Sequence, residues 1–318
     1  MRADLEHRIL GRTGLRVSAL GLGTVELGTD YGIRIPGAAG PPSEAAAVEL
    51  LRSAAGYGVD FYDTAPTYGS AERLLGEALG DRREPVFATK VSVPRDPHGQ
   101  RLRGSELRVE VERSLEASRI GLRRATLDVV QVHNATLDVI ADGELSRVLV
   151  EAKARGEVRA IGASVYTEDE ALAAIGAGCY DVLQVAFNLL DRRMANRVIP
   201  AAQAEGVAII ARSVFLKGVL TPKARVFPPE LGELVRAADR MRETLGITWE
   251  DLPAAALRFC LYSPGVAAIV IGVDTAQELD RALAAAEAGP LPETTLRRAE
   301  VSALTDERLL HPSEWPTL

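Results

Sequence analysis

The sequence predicts a (β/α)8 TIM barrel, on three observations. Short runs rich in Val, Ile and Ala recur at 17–23, 59–63, 85–90, 127–133, 158–164, 181–187, 207–213 and 266–272. Most are apolar over their whole length instead of alternating, as parallel strands covered on both faces are. Helical patterns fill the gaps without a long linker, and 318 residues suit one such domain. The competing doubly wound sheet would carry a glycine fingerprint opening a helix after its first strand. GLGTVELG leads into a loop and does not fit it.

The elements follow in order. HRILGRTGLRV reads as a β-hairpin with Arg-Thr-Gly in the turn, covering the barrel end away from the strand C-termini. After the strand at 17–23 comes a long Gly/Pro-punctuated loop, 26–42. SEAAAVELLRSAAGYG, SAERLLGEALG and SELRVEVERSLEASRIG each open at Ser and close at Gly, with apolar residues three and four apart. Further helices are expected near 143–155, 167–177, 193–205, 229–244, 249–262 and 275–287. A second long loop spans 213–229. Residues 1–318 thus read as one domain, with about 290–318 a weakly periodic tail near the same rim. Long loops at the catalytic end of a rigid barrel are where ligands are usually met.

Composition excludes several classes. The net charge of −7, with Lys and Arg scattered among acidic residues, argues against nucleic-acid or anionic-membrane partners. No run approaches the ~20 apolar residues of a membrane span, and MRADLEHRIL lacks a secretory core, so a cytoplasmic location is expected. The two cysteines, Cys179 and Cys260, lie in apolar runs and read as buried thiols. The four histidines are unclustered, so no metal is expected.

Four residues carry the chemistry. Asp63 closes VDFYD, Lys90 closes VFATK, His133 closes LDVVQVH, and Tyr68 follows Asp63 within DTAPTYGSAERLLG. Singly, each is ordinarily structural: a cap, a packed ring, a solvated ammonium, a rim imidazole. Together at neighbouring strand ends they make a proton-transfer site without metal or thiol. Glu72 reads as a first-turn residue suited to the helix dipole.

DTAPTYGSAERLLGEAL, FATK, VVQVHN, IGAS and LQVAFNLLDRR, in this order over about residues 7–285, resemble the aldo-keto reductase superfamily. DYGI, FNLLDRR and ARSVFLKGVL look like a bacterial branch acting on sugars and related metabolites. The resemblance implies a soluble NAD(P)H-dependent oxidoreductase that reduces an aldehyde or ketone, such as a sugar-derived carbonyl. It casts Tyr68 as proton donor, with Lys90 lowering the phenol pKa, Asp63 holding Lys90, and His133 orienting the substrate oxygen. It also implies cofactor contacts from Gly23, Thr24, Asp63, Ser164, Gln184, Arg212, Ser213, Leu216, Lys217, Gly218, Gly272, Asp274, Gln277 and Glu278. Substrate contacts are expected from Tyr31, Arg34, Tyr62, Tyr68, His133, Phe187, Asn188 and Trp315.

Departures from the family pattern bear on the cofactor. Val165 stands where an Asn usually follows Ser164, and Arg212 where an aromatic usually stacks on the nicotinamide. Asp274 replaces a basic residue and favours NADH by repelling a 2′-phosphate, whereas the family at large favours NADPH. Arg212, Lys223 or Arg225 could supply the missing charge. Two alternatives stay open: a cofactor-binding regulatory protein without turnover, and an alcohol or aldose dehydrogenase working in reverse. A metal-dependent hydrolase or aldolase would need more histidines at strand ends than His133.

Overall fold

The computed structural model describes residues 5–33, 40–300, 303–304, 306–311 and 315. β1 (His7–Ile9) and β2 (Arg16–Ser18) form the antiparallel hairpin. Its turn is a short 3-10 segment, Gly11–Thr13, closed by Gly14 at φ 72°, where glycine takes a left-handed conformation without strain.

The barrel closes through β3 (Leu20–Gly23), β4 (Phe61–Asp63), β5 (Val86–Ser92), β6 (Leu127–His133), β7 (Val158–Val165), β8 (Val182–Ala186), β9 (Ala208–Arg212) and β10 (Val266–Ile271). All neighbours are parallel, and β10 returns to pair with β3. The expected first strand at 17–23 is two strands, not one. Its first half pairs in the hairpin, and the chain changes partner at Ala19, whose N–H donates to Glu6 O.

Side-chain alternation divides the core into two layers. Phe61, Val86, Ala88, Val129, Ala160, Val182, Ala208, Ile210, Ala268 and Val270 point inward at one end, where Leu10, Leu15 and Val17 of the hairpin plug them. Intervening residues such as Tyr62, Phe87, Val130, Ile161 and Ile209 face the helices. Hence the hairpin seals the end away from the strand C-termini, and the opposite mouth is left for chemistry.

Helices occupy the expected gaps, but their starts are less uniform than the sequence suggests. Ser43 caps Glu44–Gly56 by accepting from Ala46 N–H, and Thr167 forms a full capping box with Glu170. Ser70 and Arg103 make no side-chain cap for Ala71–Leu79 and Gly104–Gly121. The helix expected at 193–205 begins only at Val198. The tail contains the helix Glu293–Glu300, and Leu304 N–H donates to Leu190 O at the rim (2.8 Å). Among the described residues, no helix is long and apolar enough to cross a membrane. Cys260 is buried as expected, whereas Cys179 is partly exposed.

Candidate active site

Two residues beyond the plug layer, the inward positions change from apolar to polar. Phe61, Ala88, Val129 and Val182 give way to Asp63, Lys90, Gln131 and Gln184. Lys90 Nζ donates to Asp63 Oδ2 at 2.6 Å and to Thr64 O at 3.0 Å. The other carboxylate oxygen accepts from Gln184 Nε2 at 2.6 Å and Gln131 Nε2 at 3.4 Å. The ion pair is nearly sealed, with side chains 1% and 6% exposed. Gly162 makes room for Gln131, since a Cβ there would press on its Cγ at 3.2 Å.

Tyr68 hangs over this layer. Its ring centroid is 4.8 Å from Lys90 Nζ, and His133 meets it edge-on at 5.9 Å and 82°. Phenol, ammonium, carboxylate and imidazole therefore converge at one mouth. Gly28 and Gly69 permit the approach. A Cβ on Gly28 would overlap Tyr68 O, and one on Gly69 would overlap Gly28 O. Gly28→Ala is expected to cost about 1–3 kcal/mol by overpacking and to lower kcat by displacing Tyr68. Urea melts and steady-state kinetics check this; a variant matching the wild type in both contradicts it.

Electrostatics assign protonation states, one of them contrary to expectation. Burial pushes the Tyr68 phenol above its ordinary range, and the Lys90 charge pulls against this without prevailing. The sequence shows the lysine beside the tyrosine but not the burial around both. Burial also opposes the Lys90 ammonium, yet Asp63 and Tyr68 carry it above its usual value, so it stays charged. His133 is driven down to about 3, chiefly by burial and then by Lys90 and Arg212. It is a neutral imidazole with one ring N–H to donate. A protonated phenol and a neutral imidazole N–H beside a fixed cation can polarise and protonate an oxyanion.

Backbone strain gathers at the same rim. Among the described residues, the non-glycine positions with positive φ are Asn134 (53°), Ser213 (59°), Leu216 (47°), Lys217 (50°) and the distant Arg123 (54°). Such strain persists where surrounding structure over-determines it, often at ligand sites. Consecutive left-handed and turn residues, continued by Gly218 at φ 91°, shape backbone suited to holding a phosphate. Asn134 N–H donates to Ser164 Oγ at 2.8 Å, fixing the hydroxyl at the end of β7. This donor set, with the Cβ space at Gly23 unfilled, fits a nicotinamide dinucleotide.

The remaining expected contacts divide. Lys217 Nζ lies 5.3 Å from the Tyr31 ring and 5.8 Å from the Trp315 ring, so loop and tail meet over it. Arg212 stacks at 4.2 Å on Tyr166 and donates to Val165 O and Ser213 Oγ. Thr24 is buried and ties β3 to β4 through Asp63 O. Gln277 is exposed in the first turn of Ala276–Glu287. Lys223 lies 3.8 Å from Asp274 and 3.3 Å from Glu278, so its charge is already shared. Arg34 lies outside the described residues.

Three expected substrate contacts do not face the mouth. Tyr62 alternates outward between Phe61 and Asp63; it is fully buried on Phe87 and donates to Val59 O. Phe187 stacks on Phe259 of the helix Leu252–Leu261 at 5.2 Å. Asn188 is consumed by a turn, accepting from Leu190 and Asp191 N–H while donating to Ser213 O. Glu72 stands in the first turn of Ala71–Leu79 as expected, and is also buried there, accepting from Thr89 Oγ1 at 2.6 Å.

Sequence reasoning missed Gln131, Tyr166 and Glu26. Gln131 was signalled by a polar residue set between valines in LDVVQVH, and Tyr166 by an aromatic immediately after β7. Glu26 carried no local signal, because its burial comes from Gly272 far along the chain.

The chain is similar to known oxidoreductases. Pyridoxal 4-dehydrogenase of Microbacterium luteolum is 29% identical, over 86% of this chain and 91% of its own. L-Galactose dehydrogenase of Arabidopsis thaliana is 27% identical, over 97% and 98%. A holo-form aldo-keto reductase structure from Bacillus halodurans superposes with a TM-score of 0.78 at 25% identity, covering 95% of this chain and 97% of that one. Residues 19–301 match the model of the Aldo/keto reductase family. With that match across most of its length, the chain belongs to the aldo/keto reductase family and is an NAD(P)-dependent oxidoreductase.

Proposed function

We propose that this enzyme reduces a small, polar aldehyde or ketone, with Tyr68 donating the proton. The observation that carries the reading is the Tyr68 ring, set edge-on to His133 and 4.8 Å from the Asp63-held Lys90 ammonium, where burial favours the protonated phenol. When bound, the reduced nicotinamide supplies hydride to the carbonyl carbon. His133 N–H and the Tyr68 O–H take the carbonyl oxygen between them, so polarisation and protonation act on the same atom. As negative charge develops there, the phenol gives up its proton and Lys90 stabilises the phenolate left behind. Asp63, fixed by two glutamine amides, keeps the ammonium aimed at that oxygen.

In the reverse direction the same phenolate would accept a proton from an alcohol, which a rise in pH favours. Related dehydrogenases of a pyridoxal and of a sugar support a polar, hydroxyl-bearing substrate. So does a rim carrying Arg212, Lys217 and Tyr31, which offers hydrogen bonds and charge. The test is a panel of aldoses, hydroxyaldehydes and alkyl aldehydes of equal size. Higher kcat/KM for the hydroxylated members is expected; preference for plain alkyl aldehydes would contradict the substrate class.

For the cofactor, the acidic pair after β10 supports NADH. Asp274 and Glu278 share Lys223, so that cation is already engaged by two carboxylates that would repel a 2′-phosphate. Side-by-side fluorescence titrations should give NADH on the order of tenfold tighter binding than NADPH. Tighter NADPH binding would show that another group receives the phosphate.

A further inference from the structure

Glu26 is a charged group at the mouth that the mechanism above leaves unused. It stands in the short helix Val25–Gly28, just beyond β3, and its carboxyl packs directly on Gly272, just beyond β10. A Cβ at Gly272 would overlap both of its oxygens. Among the described residues, buried Oε2 has no hydrogen-bond partner. The ionisable groups acting on it come from several elements. Asp274 and Glu278 approach from the segment after β10, Lys223 from the turn Pro222–Val226, and Tyr31 from the loop after β3. Lys223 is already paired with the other two carboxylates. Burial, with Asp274 and Glu278 adding to it, pushes the Glu26 carboxyl up to about 7 against its own backbone N–H and Lys223.

An unpartnered, buried carboxyl oxygen is costly unless a ligand completes it. This one packs on Gly272, feels the charge of Asp274, and follows Gly23 and Thr24 in the chain, all four of them expected cofactor contacts. We propose that Glu26 is a further cofactor-binding residue that takes the dinucleotide in its neutral form, its carboxyl O–H donating to an oxygen of the anionic pyrophosphate. This rests on the reading of the mouth as a nicotinamide dinucleotide site. The reason for the neutral form is charge: a third carboxylate beside Asp274 and Glu278 repels a dianion, whereas a carboxylic acid offers it a proton. Binding above neutrality then takes up one proton, and affinity falls as Glu26 ionises.

The experiment is titration of the full-length protein with NADH and with ADP-ribose between pH 6 and 8.5. Wild-type affinity should hold below pH 7 and fall by up to roughly tenfold per pH unit above it. E26Q keeps a donor of the same shape without the titration. Its affinity should be independent of pH and roughly tenfold or more above wild type at pH 8.5. Glu26→Leu, which lacks any donor, should also be flat but weaker than E26Q at pH 6. An E26Q variant that binds more weakly at every pH would mean that a carboxylate accepts from a ribose hydroxyl, overturning the proposal. One that retains the wild-type slope would place the titration on another group, with the same consequence. A wild type that binds neither ligand at any pH removes the cofactor reading itself; one that binds with a flat profile removes only the role of Glu26.

Discussion

Tyr68→Phe is expected to lower kcat by about 10²–10⁴-fold while leaving NADH affinity nearly unchanged. The substitution deletes one oxygen and keeps the ring that His133 meets edge-on at 5.9 Å. Lys90 retains Asp63 and Thr64 as partners, so the ion pair stays satisfied. What disappears is the proton that the developing alkoxide needs. Steady-state kinetics with a fluorescence titration separate the two effects. A Tyr68→Phe enzyme turning over at the wild-type rate would remove Tyr68 from the chemistry, and one that cannot bind cofactor would show its role to be structural.

The second large effect is on stability. Asp63→Ala strands a buried ammonium with only the Thr64 carbonyl and Tyr68 nearby. Breaking one partner of a sealed pair typically costs about 3–5 kcal/mol, because the remaining charge is left uncompensated. A double replacement, Asp63→Leu with Lys90→Met, removes both charges and should regain most of that loss while remaining inactive. Urea denaturation followed by circular dichroism measures both variants. An Asp63→Ala protein as stable as the wild type would show that the pair is hydrated, contrary to its burial.

The barrel was legible because buried parallel strands need apolar residues on both faces, and few other elements look like VDFYD or LDVVQVH. The tetrad was legible because strand ends are marked by the change from apolar to polar residues. Asp63 and His133 end their strands, whereas Lys90, read as a strand end, lies inside β5, which runs on to Ser92. Orientation just past those ends was not legible. Tyr62 is a different case, because it lies inside β4, where the strand's alternation already assigns it to the face opposite Asp63. Phe187 and Asn188 follow β8, where the chain leaves the strand's alternation and side-chain direction is set by tertiary contacts with Phe259 and Ser213.

The acidity of Tyr68 failed for a related reason. A charged neighbour can be read from the sequence, but the depth of burial competing with it cannot. Gln131 is a buried amide whose partner Asp63 comes from a distant strand, and Glu26 is packed by Gly272 from far along the chain. Conversely, the 213–229 loop is more ordered than its Gly/Pro punctuation suggests, since Pro222–Val226 and Pro229–Leu231 form 3-10 turns.

Deuterium transfer tests the central claim most directly. The enzyme is incubated with a hydroxyaldehyde and NADH deuterated at the transferable C4 position, and the alcohol is analysed by mass spectrometry. One deuterium on the carbinol carbon from wild type, and none above background from Tyr68→Phe in the same interval, is the predicted result. Unlabelled alcohol from wild type, or equal labelling by both proteins, would contradict it.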